Sequence, residues 1–259
     1  MAIRRWIPPA VVENLGSVLP DRFQRFEVVE SWDDAERRCI GYEQSTLNDL
    51  SSKQVSSAAK IQHPTSRDLQ FIAAAGICLE ASQPRSHVRV LDFGGGFGHY
   101  CDVAASAFPK VSWEWTVVET PTVVTLAART DVDQSISWTS DLDSVLGERW
   151  DFVLASASLN YVPDPIQVLT KLGRVAPYAL LTRLPLWPVD HHLPAVQRLS
   201  RRDRGGAYPT WVFSEAVLLE EIGAIGDVVL RFDVPEDTAW IAGHRGTYAG
   251  LLIRTKDPS

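Results

Sequence analysis

The segment that most constrains this chain is Val88-Arg-Val-Leu-Asp92-Phe93-Gly94-Gly95-Gly96-Phe-Gly98-His-Tyr100. A short apolar run ends in an acid, glycines then recur at every second position, and an apolar helical pattern follows. This order predicts a strand, a tight glycine loop and a helix, the first crossover of a nucleotide-binding α/β sheet. Glycine serves such a loop in two ways: it reaches positive φ without a Cβ clash, and it lets a ligand approach the backbone. A dinucleotide fingerprint needs another glycine where this chain has His99, so the loop expects a different ligand.

The next segment fits the same unit. Val111-Ser-Trp-Glu-Trp-Thr-Val-Val-Glu119 reads as a second strand ending in an acid, and Thr120-Pro121 opens a helix. An acid about 20 residues beyond the glycine loop is placed to accept ribose hydroxyls. Farther on, strands expected near 135–139, 150–155, 178–183, 226–233 and 247–254 alternate with helices near 98–107, 121–129, 141–146, 164–174 and 213–222. Strand–helix alternation predicts a mostly parallel sheet with helices on both faces. The last two strands are expected to pair antiparallel across 235–245, giving seven strands.

Residues 1–85 read as a helical, irregular extension before a core at 86–259. Ser31 is an N-cap candidate, 44–61 suggest a mobile helix or lid, and Leu69, Ile72, Ala73, Ile77 and Leu79 fit an amphipathic helix. After the fifth core strand, 184–212 is a long insertion with little periodicity. Such insertions are usually functional, and ligands bind at the carboxyl ends of strands in open α/β sheets. Residues 1–70 and 184–212 are therefore expected to roof a substrate pocket.

Composition narrows the partners. The 259-residue chain is 45% hydrophobic and 22% charged with a net charge of −7, which disfavours nucleic acid as substrate. Nothing reads as a signal peptide or membrane span. Three cysteines without ligand spacing read as reduced thiols of a cytoplasmic protein, and no metal site is expected.

Leu91-Asp-Phe-Gly-Gly-Gly-Phe-Gly, Val117-Val-Glu-Thr-Pro, Ala155-Ser-Ala-Ser-Leu-Asn-Tyr-Val-Pro-Asp-Pro, Thr182-Arg-Leu-Pro, Gln197 and Tyr208-Pro-Thr-Trp211 occur in one order. In that order, over roughly residues 25–225, the chain resembles a family of bacterial S-adenosylmethionine (SAM)-dependent methyltransferases encoded near surface-polysaccharide or specialised-metabolite genes. The resemblance implies a Rossmann-like seven-stranded sheet with an antiparallel last strand, SAM as cofactor and S-adenosylhomocysteine (SAH) as product. It implies cofactor contacts at Asp92, Phe93, Gly94, Gly95, Gly96, Gly98 and Glu119, and adenine contacts at Asp141 and Leu142. For Asp141 a helix N-cap explains the residue equally well.

The remaining candidates surround the expected acceptor. Ser156 ends the fourth core strand and is expected to line the cofactor. Asn160 and Tyr161 follow it as candidate substrate contacts, Tyr161 and Arg183 also as candidate catalytic residues, although Leu159 and Tyr161 equally read as the start of a packed helix. Arg183 is placed to pair with a carboxylate or phosphate, or to tie the insertion to the sheet. His191 and His192 are candidate general bases because histidine titrates near neutral pH. Gln197, Tyr208 and Trp211 read as pocket walls. These residues suggest a small polar acceptor, without or with a homodimer or a biosynthetic partner protein. Two other readings stay open, a methyltransferase fold recruited to elimination or cyclisation and a non-catalytic subunit.

Overall fold

The computed structural model describes residues 24–39, 64–81, 86–129, 135–198, 207–242 and 244–256. Its elements are β1 (Gln24–Val28), α1 (Trp32–Arg37), α2 (Ser66–Ala81), β2 (His87–Phe93), α3 (His99–Ala107), β3 (Ser112–Val118), α4 (Pro121–Ala127), β4 (Ile136–Thr139), β5 (Phe152–Ser156), α5 (Pro165–Leu172), β6 (Tyr178–Trp187), β7 (Leu193–Arg198), β8 (Ala207–Ser214), α6 (Glu215–Ile225), β9 (Gly226–Ile241) and β10 (His244–Thr255). Single 3₁₀ turns cover Asp143–Val145 and Leu159–Tyr161. Residues 44–61, expected as a helix or lid, lie outside the described residues.

The expected core is present in the order β4-β3-β2-β5-β6-β10-β9, with β10 antiparallel to both its neighbours and the other adjacent pairs parallel. Strand alternation sends side chains to two apolar layers. Leu91, Val153, Ala179 and Leu181 pack toward α5 and α6 with Leu169, Leu172, Leu218 and Ile222. Val90, Phe152, Leu154 and Leu180 pack toward α2 and α3 with Phe71, Ala74, Tyr100 and Val103. The helix starts follow the sequence: Ser31, Thr120, Asp164 and Ser214 each accept a backbone N–H of the first turn, and Pro121 and Pro165 sit where a missing N–H costs nothing.

Three further strands correct the sequence reading. The N-terminal region, expected to be helical and irregular, supplies β1, and the insertion, expected to be irregular, supplies β7 and most of β8. These strands join the far halves of β6, β9 and β10 into a ring. β6 pairs β8 at Leu186↔Phe213, β8 pairs β7, β7 pairs β1 at Gln197↔Phe26, and β1 pairs β9 at Phe26↔Ile241. The hairpin of β9 with β10 and the pairing of β10 with β6 complete it. A closed ring leaves no unpaired edge. Its apolar filling draws on every strand: Phe26, Trp187, Ala195, Val212, Val234, Ile241 and Tyr248.

Phe26 puts the closure to the test, since it is buried at 3% exposure and comes from the shortest strand of the three. Phe26→Ala should cost about 3 kcal/mol, the lower end for emptying a buried phenylalanine site, read from urea unfolding. A change below about 0.5 kcal/mol, the size of an ordinary surface substitution, would show that β1 does not hold the ring.

Candidate functional site

The glycine loop connects β2 to α3 at the carboxyl end of the sheet. Its base is Asp92, fully buried, whose Oδ2 accepts the Trp115 indole N–H at 3.1 Å, while Oδ1 has no hydrogen-bond partner among the described residues. Burial, with the Glu119 charge adding to it, pushes the Asp92 carboxyl up to about 7. The glycines divide by role. A Cβ would strike Ser158 at Gly94, the Asp92 carboxyl at Gly95 and Ile136 at Gly98, so these three are required by packing. Gly96 differs: its φ is +58° and a Cβ there would meet nothing within 4 Å. That peptide faces open space and is held from both sides. Its N–H donates to Glu119 Oε1 at 3.1 Å and its carbonyl accepts the Trp138 indole N–H at 3.0 Å. Glu119 Oε2 accepts the Thr120 N–H at 2.8 Å. Burial raises the Glu119 carboxyl, and these backbone donors work against the rise.

Beside the loop, the ends of β5 and β6 carry a linked polar group. The Ser156 hydroxyl meets Tyr100 Oη at 3.1 Å and Thr182 Oγ1 at 2.8 Å. The next residue on each strand leaves the ordinary backbone: Ala157 has φ +53° and Arg183 φ +57°. For β6 the cause is in the register. Leu181 faces Leu251 and Leu184 faces Ala249, so Thr182 and Arg183 stand opposite Gly250 alone. This is a β-bulge, a device that bends a strand and re-aims a side chain. A left-handed residue other than glycine costs about 1–3 kcal/mol and concentrates at functional sites.

The ring contributes the opposite wall. Gln197, Tyr208 and Thr210 share strand faces with Ala195 and Val212, so one end of the ring's interior is polar. Asn160, buried at 3% exposure, donates from Nδ2 to Thr210 Oγ1 at 2.9 Å, and Tyr161 donates to Gln197 Oε1 at 2.6 Å. Tyr208 meets the Tyr161 ring edge-on at 6.3 Å. Burial raises the Tyr161 phenol, and the Arg183 charge is the largest influence pulling it down. Five of the sequence candidates, Asn160, Tyr161, Arg183, Gln197 and Tyr208, thus fall in one neighbourhood.

Other candidates are engaged elsewhere. His192 uses both ring nitrogens, Nδ1 accepting the Ser214 N–H at 3.0 Å and Nε2 meeting Glu221 at 2.9 Å, which ties the loop before β7 to α6. His191 is exposed and pairs with Asp190 at 2.5 Å. With both ring nitrogens engaged, His192 lacks the free nitrogen of a general base, whereas Asp190 holds His191 through Nδ1 alone. Trp211 stacks on Trp32 at 5.7 Å and donates to the Val162 carbonyl, fastening α1 to the ring. Asp141 Oδ1 accepts the Asp143 N–H at 3.0 Å, an Asx turn leading into a 3₁₀ turn whose N-cap is Leu142. Leu142 and Phe93 pack on the core layer facing α5.

Sequence reading missed the pair beside the loop. Asp68 on α2 is buried and accepts from Thr65 N, Thr65 Oγ1 and the His99 ring, the last at 2.8 Å. Burial works to raise this carboxyl, but the His99 and Thr65 hydrogen bonds outweigh it and hold it below the usual range. The available signal was Thr65-x-x-Asp68, a capping pattern at the start of α2. Ser158, whose hydroxyl donates to the Phe93 carbonyl at 2.6 Å, was also unread.

Comparison with known proteins agrees with this architecture. The family model described as methyltransferase domain matches residues 57–208. A search of curated proteins returns no match. Among solved structures, the N-terminal domain of EvdMO1 with SAH bound is similar, with a TM-score of 0.51 and 17% identity over 75% of this chain and 82% of that one. The [4+2]-cyclase SpnF is also similar, with a TM-score of 0.53 and 14% identity over 90% of this chain and 99% of that one. The match to the family model covers more than half of the sequence, and the chain belongs to the methyltransferase-domain family.

The raised Asp92 carboxyl gives a pH prediction for the cofactor-free protein. A carboxyl with its folded pKa near 7 and an unfolded value of about 4 favours folding fully below pH ~4, and that contribution fades as pH rises through about 7. Asp92→Asn mimics the neutral form and does not titrate. Its stability relative to the native chain should therefore improve between pH ~5 and ~8, by ~1 kcal/mol or more, in urea unfolding. A difference independent of pH would show that Asp92 is ionised throughout.

Proposed function

We propose that this member of the methyltransferase-domain family transfers a methyl group from SAM to a small polar molecule held between the glycine loop and the polar end of the strand ring. The observation that carries this reading is Gly96, the one loop glycine whose peptide faces open space, with the Glu119 carboxylate fixed beneath it. A ligand whose diol meets that carboxylate and whose chain lies along the loop fits this arrangement, and Asp92 Oδ1, without a partner among the described residues, leaves a buried acceptor below it. Glu119 would take the ribose hydroxyls, the backbone of Gly94–Gly98 would carry the methionine part, and Asp141 with the Leu142 N–H would face the adenine. Ser156, set by Tyr100 and Thr182, would line the reactive end. When bound, SAM supplies a sulfonium-activated methyl for an in-line displacement.

With the methyl group already activated, the protein's work is placement and the exclusion of water. Asn160, Tyr161, Arg183, Gln197 and Tyr208 would orient the acceptor. A general base is not required by this chemistry, which accords with His191 and His192 being engaged away from the polar end. The net charge of −7 suits a small acceptor better than a nucleic acid. The SpnF likeness is one of fold, and fold alone does not fix chemistry, so cofactor binding and methyl transfer are separate measurements.

Two substitutions test the cofactor site. Glu119→Ala should weaken SAH binding by about 1–3 kcal/mol, the range for a lost charge-assisted hydrogen bond, in calorimetry. Gly96→Val should abolish binding because its side chain enters space that the fold leaves open; at φ +58° it also costs about 1–3 kcal/mol of stability, so the circular-dichroism spectrum should stay close to native while the urea midpoint falls. Native SAH affinity in both variants would reject the assignment.

A further inference from the structure

Resting on the reading of the glycine loop as the cofactor site, we propose that the acceptor carries an anionic group, carboxylate or phosphate, gripped by Arg183, together with a hydroxyl or amine that donates to Asn160 Oδ1. The two protein groups are complementary leftovers. Arg183 Nε is buried without a hydrogen-bond partner, and no carboxylate among the described residues forms an ion pair with this guanidinium. Asn160 has committed its amide nitrogen to Thr210, and its Oδ1 is buried and unpartnered. Buried donors and acceptors are seldom left empty, so each that is empty asks what fills it.

Both groups flank one point, the Tyr161 hydroxyl. The Arg183 charge acts on it, Asn160 precedes it in the same 3₁₀ turn, and Gln197 holds it from the ring. A molecule that satisfies one group therefore lies within reach of the other. The bulge supplies the second, independent argument. The chain holds Arg183 in the left-handed region, which a glycine would occupy without strain, and this conformation re-aims its side chain at the place where β6 passes from β5 to β8. A purely structural guanidinium would be expected to end on a carboxylate, as Arg89 does on Glu114 and Glu148. The cofactor is a poor owner of Arg183 because the glycine loop and Glu119 follow β2 and β3, on the other side of β5 in the sheet order. An acceptor with paired anionic and donor groups, such as a hydroxy acid, an amino acid or a polyol phosphate, satisfies the whole set. Arginine grips either kind of anion through a two-pronged contact.

The test uses the full chain saturated with SAH and four probes: lactate and glycerol phosphate, which carry both groups, and acetate and methyl phosphate, which lack the separate donor. Binding is followed by ligand-observed NMR. The native protein should bind one of the first pair at millimolar concentration, more tightly than its donor-free counterpart, and which of the two binds identifies the anion. Arg183→Gln should weaken that binding about tenfold to a hundredfold while SAH affinity stays within about twofold of native. Arg183→Lys, which keeps the charge without the fork, should lose less. The proposal is overturned if no anion binds the native SAH complex, if binding survives Arg183→Gln, or if that variant loses SAH affinity to the same degree, which would give Arg183 to the cofactor. Failure of the native chain to bind SAH appears before any probe is added, and it removes the cofactor reading and this proposal together.

Discussion

The structure turns on the bulge at Thr182 and Arg183. Up to Thr182, β6 is an ordinary inner strand, paired with β5 on one side and β10 on the other. Beyond it, β5 has ended, and the free edge of β6 would expose unpaired N–H and C=O groups. The extra residue bends the strand, and Leu186 and Trp187 then find β8. β6, like β9 and β10, therefore serves two parts of one ten-stranded sheet, the parallel core and the closed ring. The distortion that permits this also carries a guanidinium, so the strain is spent where the chain needs an aimed side chain.

The two halves meet their polar requirements differently. At the glycine loop every group is small or fixed: Asp92 below, Glu119 and Trp138 on either side of the Gly96 peptide. This is a preorganised surface, in which the donors and acceptors do not have to move to meet a ligand. The ring's polar end is also cross-linked, through Asn160 to Thr210 and Tyr161 to Gln197. There, however, a buried donor and a buried acceptor remain without partners. The first half leaves one acceptor open, Asp92 Oδ1 below the loop, whereas the second leaves both a donor and an acceptor open.

The core was legible because its signals are local and redundant. Strand, acid, glycine loop and helix follow one another within a few residues, and Ser31, Thr120-Pro121 and Asp164-Pro165 mark their helix starts with side chains that cap them. The ring was not legible, for a physical reason. β1 is five residues long and has no hairpin partner in sequence; Phe26 pairs with Gln197 and Ile241, contacts far along the chain. β7 contains Pro194 and β8 contains Pro209, residues that argue against a strand unless its geometry is already known. His192 was misleading in another way: a titratable residue in a functional insertion is a fair candidate, but both its ring nitrogens are taken by Ser214 and Glu221. His99 was visible only as a missing glycine, because its partner Asp68 comes from a preceding helix.

Closure of the ring also bears on how a reaction at this site is controlled. Group transfer depends on the distance and angle between donor and acceptor, and small errors in placement are costly. On the proposed reading the acceptor wall hangs from the strand whose paired half lies next to β5, and hydrogen-bonded registry would hold it there: Ser156 opposite Thr182, Leu184 opposite Ala249, Leu186 opposite Phe213. β1, β7 and β8 brace that wall around the Phe26 and Val212 filling, and the Trp32–Trp211 stack secures α1 outside it. On the proposed reading the core can then stay constant for one cofactor, while substitutions on the ring's inner face at Gln197, Tyr208 and Thr210 would alter what is held without moving where it is held.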